Sequence, residues 1–396
     1  MPAVPGRVAG ALLAALVLLG GLLLASCGRS GASAAAGLAA LPCGERVRDA
    51  TVTAVVPDRS LDAAWAAYGD HGDGWVAGDS VHAYRLPGGQ VLWTFADSFL
   101  GPLPPSGHLG PSTPFVHSTA VIQDGRSFRT IWASRPGKPR ASLLPDAHRN
   151  QAYLALAGIA ANGRLQLLYL RERIAGEVAI EQPADEVVAT FALPSLRLVS
   201  VRRLAVEERG VVWGAAVSRL GGRTYVYGAS ASGGDKDLYV ALAPNGDLAG
   251  RWRYWDGQRF VANPARAVPI MTNVSSELSV TSVDGMDVLV TTPTDTAYSN
   301  LVAVGFACRP TGPFTLATAF RASDQTGPLG ERRFGVGDVY VYDAMDQAAL
   351  NEGDRLLVSY DQNTVNPKEL PTHPAVYRPG YLWVTIGPRR PAGGRG

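Results

Sequence analysis

Lysine is nearly missing from this chain. Lys138, Lys236 and Lys368 are the three in 396 residues, and arginine supplies the remaining 33 of 36 basic side chains. With 34 acidic residues the formal net charge is only +2, which excludes nucleic acid as a dominant polyelectrolyte partner. The arginine bias reads as GC-rich coding rather than as chemistry. Cysteine is as scarce, at three residues, too few for a disulfide-dense miniprotein. There is no Cys-x-x-Cys, no His-Glu-x-x-His and no phosphate loop, which removes the usual zinc, redox and nucleotide signatures. The nearest approach to a Gly-x-Ser-x-Gly elbow, Gly228-Ala229-Ser230-Ala231-Ser232, fails at its last position. Six histidines, at 71, 82, 108, 117, 148 and 373, lack ligand spacing, which argues against zinc. Asp70-His71-Gly72-Asp73-Gly74 is rich in oxygen donors but fits no defined calcium loop, and an ordinary turn is the simpler reading. What is plentiful is 46% hydrophobic residues, with 45 Gly and 28 Pro. The chain therefore has apolar content for a large core and turn residues for many short elements.

The first segment is an address. Arg7 precedes an apolar run from Val8 to Leu24, and Ala25-Ser26-Cys27 follows. A basic residue, an apolar stretch and a small-residue cleavage site describe a secretory signal. Leu24-Ala25-Ser26-Cys27 resembles the bacterial lipobox, in which the signal is removed and the new terminal cysteine carries lipid. An uncleaved anchor is the alternative, since about 17 apolar residues just cross a bilayer. Both readings export the rest of the chain to the extracytoplasmic face of the cell membrane. The expected organisation is a signal peptide over 1–26 and a lipid-anchored Gly/Ser/Ala tether over 27–42. A folded domain over 43–388 and a disordered tail over 389–396 complete it. With Cys27 carrying lipid, Cys43 and Cys308 remain as an even pair in an oxidising compartment. They are expected to form a disulfide, with two separate thiols as the alternative.

Beyond the tether the pattern is all β. Val91–Phe95, Thr224–Tyr227, Val288–Thr291 and Leu356–Tyr360 are short β-branched and aromatic runs bounded by Gly, Asp and Asn. Leu61–Tyr68 is the one stretch that reads as a short helix. Tight turns recur at Gly88-Gly89, Asn162-Gly163, Gly221-Gly222, Asp284-Gly285 and Glu352-Gly353, about 60 to 75 residues apart, each between apolar segments. Such a unit holds four short strands, and Asp124-Gly125 supplies an outer hairpin in the first. Five units closed radially make a five-bladed β-propeller; stacked β-sandwiches are the alternative. A monomer is expected. No cofactor is expected either, apart from the room a propeller channel leaves for a structural cation.

Gly78-Asp79 and the run Leu86-Pro87-Gly88-Gly89-Gln90-Val91-Leu92-Trp93-Thr94-Phe95-Ala96-Asp97-Ser98-Phe99-Leu100-Gly101 resemble the opening blade of a secreted actinobacterial family. That family is catalogued as a domain of unknown function (the 4185 and 5005 groups). Phe115-Val116-His117-Ser118, Trp213-Gly214-Ala215-Ala216-Val217, Tyr225-Val226-Tyr227-Gly228, Thr311-Gly312-Pro313-Phe314, Leu357-Val358-Ser359-Tyr360 and Tyr377-Arg378-Pro379 continue the resemblance in order, over roughly 74–386. The family is similar to five-bladed glycoside hydrolases, and some members are endo-D-arabinanases. The resemblance thus implies a hydrolase acting on envelope polysaccharide, with an arabinan-type glycan as first guess. It also has gaps. A Trp-Pro-Gly-Asp stretch is replaced by Ala147–Tyr153, a His-Pro-Glu by Gln347-Ala348-Ala349, and an Asn after His117 by Ser118. A glycan-binding or scaffold lipoprotein without catalysis therefore stands as the alternative.

Glycoside hydrolysis needs two carboxyl groups flanking the scissile bond, and a propeller's innermost strands all pass one funnel. Asp79 precedes the first inner strand, Asp97 ends its neighbour, and Glu277 opens the fourth unit. These three are the candidate acid–base groups: Asp79 and Glu277, from the first and fourth units, can face each other across the funnel as acid and base, with Asp97 holding or tuning Asp79. Turn capping or an exposed charge is the competing role. Asp343 in the fifth unit, His117, Trp75, Trp213 and Arg378 are candidate substrate contacts. For Trp75, Trp213 and Trp255 core packing competes with sugar stacking. Arg378 can fork onto a carboxylate or onto sugar hydroxyls.

Overall fold

The computed structural model describes residues 41–71, 74–131, 143–144, 151–175, 179–204, 210–230, 235–293, 301–321, 336 and 339–389, with the side chains of 174–184 excluded. The signal segment, Cys27, most of the tether, Asp73, residues 147–150 and the tail beyond Arg389 lie outside the described residues.

Five antiparallel sheets follow one another along the chain. Sheet 1 runs His82–Arg85, Val91–Phe95, Thr119–Asp124, Ser127–Thr130; sheet 2 runs Gln151–Ala161, Arg164–Ala175, Ala179–Ala192, Arg197–Arg203. Sheet 3 starts with Val211–Leu220, Arg223–Ser230 and Lys236–Ala243 and adds short outer strands. Sheet 4 runs Ser279–Val283, Met286–Thr291, Leu301–Ala307, Thr315–Arg321. Sheet 5 takes Val339–Asp346, Arg355–Thr364 and Gly380–Pro388, and its outermost strand is Ala50–Pro57 from the other end of the chain. A small sixth sheet pairs Trp75–Gly78, Ser98–Leu100 and Phe115–Val116.

Turn chemistry explains the repeat. Each of the five tight turns joins the first strand of a sheet to its second. In the Asn162-Gly163, Gly221-Gly222 and Asp284-Gly285 loops both residues have positive φ. That is the type I′ geometry whose twist matches the flanking strands, and it favours Asn, Asp and Gly. Asp124 ends the third strand of sheet 1 and a two-residue loop leads into Ser127, so the outer hairpin lies where the Asp-Gly pair placed it.

The strands read as unbroken apolar runs because both faces of each sheet are covered. In sheet 2, Leu165, Leu167 and Tyr169 pack with Tyr84 and Leu92 of sheet 1. The intervening Leu168 packs with Trp213 and Val226 of sheet 3. The same period-two division sends Leu289 toward sheet 3 and Val288 and Val290 toward sheet 5. A fifth cluster joins Leu357 and Tyr381 of sheet 5 to Trp93 and Phe95 of sheet 1. Five of the buried clusters thus each join two sheets, the first with the second, the second with the third, the third with the fourth, the fourth with the fifth and the fifth with the first. The opening strands of all five sheets line one cavity of about 260 Å³, from His82–Arg85 round to Met345–Gln347.

Among the described residues two α-helices precede and brace this assembly. α1 (Cys43–Asp49) is held to sheet 4 by the Cys43–Cys308 disulfide and by Arg46 Nη1, which donates to the Asp284 carbonyl at 2.6 Å. α2 (Arg59–His71) is longer than the apolar run suggested. Asp58 caps it, its Oδ1 accepting from the Leu61 N–H at 3.0 Å. The helix drives Trp65 into a nest of Trp75, Trp93, Phe95 and Phe128. Among the described residues no helix is long and apolar enough to cross a membrane.

Candidate active site

The small sheet brings the first two candidate carboxylates together. The Asp79 N–H donates to the Asp97 carbonyl at 3.1 Å, and the Ala96 N–H donates to the Asp79 carbonyl at 2.9 Å. Ala96 and Asp97 together oppose Asp79, the two-against-one arrangement of a β-bulge, a device that re-aims side chains. Asp79 accepts a hydrogen bond from Tyr342 Oη at 2.8 Å, and Tyr377 donates to it as well. Burial raises the Asp79 pKa from 3.8 to about 7, and the neighbouring Asp97 charge adds to this against the two tyrosine hydrogen bonds. Asp97 is hydrogen-bonded to His117, Oδ1 to Nδ1 at 2.7 Å, and keeps 23% of its side chain exposed.

Glu277 lies just ahead of the first strand of sheet 4. Its Oε2 meets His82 Nε2 of sheet 1 at 2.8 Å, leaving its side chain 7% exposed. The Glu277 N–H donates to Asp343 Oδ1 at 3.1 Å, and Asp343 holds this position with a φ of 43°, a left-handed conformation that aspartate tolerates better than most residues. Burial and then the Glu277 charge push the Asp343 carboxyl well above the usual carboxylate range. Asp361, on the second strand of sheet 5, accepts the Ser80 N–H through Oδ2 at 2.6 Å. Burial and then the Asp79 charge push it up in the same way. Glu172, buried on the second strand of sheet 2, is raised to about 7 by burial and the Asp97 charge, with His117 pulling it down.

Sheets 1, 2, 4 and 5 and the small sheet thus direct six carboxyl groups, two histidines and two tyrosines to one region. Among the described residues no three His, Cys, Asp or Glu side chains converge as metal ligands.

The tryptophans read as candidate sugar platforms are placed elsewhere. Trp75 is 0% exposed and sandwiched between Trp65 and Phe95, each 4.8 Å away. Trp213 is 3% exposed and packs edge-on against Tyr254 at 5.4 Å. Core packing accounts for both, because each fills the space between a sheet and its neighbour, and neither can stack on a ligand. Trp255 stacks on Phe260 on the outer part of sheet 3. Arg378 is also corrected. Its fork is spent on its own chain, with Nε to the Val76 carbonyl at 2.8 Å and Nη2 to Asp70 at 2.8 Å. It anchors α2 to the small sheet and does not reach for sugar.

His82, Glu172, Tyr342, Asp361 and Tyr377 were not singled out from sequence. Tyr377 and Asp361 stand at the edges of recognised segments, Tyr-Arg-Pro and Leu-Val-Ser-Tyr, so a signal existed beside them. Glu172 sits in a strand whose pairing alone turns it toward His117 and Asp97, and nothing local marks it.

Residues 62–385 match the profile of a family described as a domain of unknown function (DUF5005). The chain belongs to that family. No curated protein sequence matches it. Among solved structures it is similar to a candidate hydrolase from Bacteroides ovatus ATCC 8483, with a TM-score of 0.67 at 18% identity over 83% of this chain and 90% of that one. This likeness shows a shared fold. The chain is also similar to Zg3597, a family 117 glycoside hydrolase of Zobellia galactanivorans (TM-score 0.45, 13% identity, 80% of this chain and 86% of that one). A third is the α-L-arabinofuranosidase PaAbf62A of Podospora anserina (TM-score 0.42, 12% identity, 81% and 93%).

The buried acids have a consequence for stability. Asp79 and Asp346 are raised to about 7, and Asp343 and Asp361 are raised well above 3.8. The folded family member therefore binds these protons more tightly than its unfolded chain. The stability they contribute is complete below about pH 4 and is lost as pH rises through about 7. Thermal unfolding should show a higher Tm at pH 5 than at pH 8; a Tm that climbs over this interval would contradict the assignment.

Proposed function

We propose that this protein is a glycoside hydrolase of the cell envelope, a five-bladed β-propeller over residues 43–388 carried on the outer face of the membrane by lipid on Cys27. The observation that carries the catalytic reading is the Asp79–Asp97 pair: the two residues are joined through their backbones, Asp79 is held by Tyr342 and Asp97 by His117, and the Asp97 charge adds to burial in raising the Asp79 carboxyl pKa to about 7. Asp79 acts as general acid, giving its proton to the glycosidic oxygen as the C–O bond breaks. Asp97, more open and oriented by His117, is the second carboxylate and either attacks the anomeric carbon or takes a proton from water. Glu277, held by His82, faces them from sheet 4 as the third acidic group. Five sheets linked by five clusters, and one cavity lined by all five opening strands, support the propeller. So does the sheet shared by the two ends of the chain.

Incubating the full chain with arabinan, arabinogalactan and other envelope glycans and counting new reducing ends tests this. A non-catalytic glycan-binding lipoprotein is the second reading, favoured by the near-complete enclosure of Glu277 against His82. Saturable glycan binding with no product released would establish that one instead. The anchor has its own test. Cys27→Ala should abolish labelling by a fatty-acid probe and move the protein out of the membrane fraction; unchanged labelling would contradict it.

A further inference from the structure

We propose that Phe115, backed by Phe99, is a sugar-stacking platform beside the carboxylate pair, holding a ring of the glycan next to the bond to be cleaved; this rests on the glycosidase reading above. The small sheet pairs Phe99 with Phe115 and Ser98 with Val116. One step further along the same register, His117 stands opposite Asp97, as their 2.7 Å hydrogen bond requires. Side chains alternate faces along a strand, so Asp97, Phe99, Phe115 and His117 share one face. The contacts are continuous across it. Phe99 and Phe115 lie 4.9 Å apart, and Phe115 meets His117 edge-on at 5.4 Å. Phe99 meets Tyr377 at 5.9 Å, and Tyr377 donates to Asp79. An aromatic strip therefore runs directly into both carboxylates.

Burial separates this strip from the tryptophans of the core. Phe99 and Phe115 are only partly covered, although large apolar side chains gain from full burial. A sugar ring supplies what is missing: its C–H face covers the phenyl ring while its rim hydroxyls reach polar groups such as His117 and the carboxylates. Large apolar area with a few convergent polar groups is the usual composition of such a site. Binding energy gained one ring away from the reacting centre can be used to orient the scissile bond.

The test uses the full chain carrying Asp79→Asn, which keeps the site's shape and turns over at least about a hundredfold more slowly, titrated with arabinan-derived oligosaccharides. Phe115→Leu retains apolar bulk but removes the ring face and should raise Kd about three- to tenfold, and Phe115→Trp should restore it. The Leu variant should unfold at the parent temperature, which separates lost stacking from lost folding; Phe115→Ala serves as a second truncation. Binding by both truncations within twofold of the parent overturns the platform. If the wild type releases product and Phe115→Leu leaves KM unchanged, the platform falls while the hydrolase stands. If the wild type releases nothing yet Phe115→Leu abolishes binding, the platform stands and the hydrolase falls. A wild type that neither binds nor cleaves these glycans overturns both.

Discussion

Asp79→Asn should lower turnover by at least about a hundredfold, the scale for losing a positioned general acid, while glycan binding survives. The amide keeps the shape of the carboxyl and can still accept from Tyr342 Oη, the 2.8 Å bond that orients Asp79. What it cannot do is give up a proton to a leaving oxygen. The pH profile separates this role from a structural one. With the Asp79 pKa at about 7, the acid form is present below that pH and is lost above it, so kcat/KM of the wild type should fall as pH rises through about 7. Asp79→Asn should lose that limb as well as the rate. Asp97→Asn should match the loss in rate, since it removes the second carboxylate. Glu277→Gln tests the third acidic group, and a loss of similar size would show that the carboxylate held by His82 also takes part in the chemistry. Wild-type turnover in all three variants would show that the reacting groups lie elsewhere.

Breaking the Cys43–Cys308 disulfide should lower the unfolding temperature by roughly 5–10 °C, equivalent to about 3–5 kcal/mol. The bridge spans 265 residues of sequence, so its loss frees a very large loop in the unfolded chain. Its position also magnifies the effect. α1 leads directly into Ala50–Pro57, which pairs with Gly380–Pro388 from the far end of the chain. The disulfide and the Arg46–Asp284 hydrogen bond hold this terminal segment against sheet 4, so sheet 5 keeps its outermost strand. Comparing Cys43→Ser/Cys308→Ser with the parent, with and without reductant, checks it. An unchanged midpoint in the double variant would show that the strand docks without help.

The local features were legible because they depend on neighbouring residues. Type I′ loops at Asn-Gly, Gly-Gly and Asp-Gly are selected by positive φ, and apolar runs such as Val288–Thr291 are selected by burial on both faces. The backbone pairing of Asp79 with Asp97 was legible for a similar reason: each stands beside a recognisable strand end. The aromatic assignments were not. Trp75 and Trp213 flank glycines as exposed stacking residues often do, yet sheet-to-sheet packing claims both, and no composition rule separates a tryptophan between two sheets from one at a rim. Arg378 was misplaced in the same way, because its partners Asp70 and Val76 are some 300 residues distant in sequence.

By itself the sequence determined the all-β class, the tight turns that join the first strand of each sheet to its second, and the pairing of Cys43 with Cys308. Each of these follows from turn chemistry, strand periodicity or a count of residues. Only the tertiary structure decided that the terminal strand completes sheet 5, and that Asp97 is held by His117 and Glu277 by His82. It also decided that Tyr342 and Tyr377 face Asp79, and that Phe115 packs between Phe99 and His117. Those contacts join residues far apart in the chain across sheets, and their register is set by packing between sheets, which no local pattern encodes.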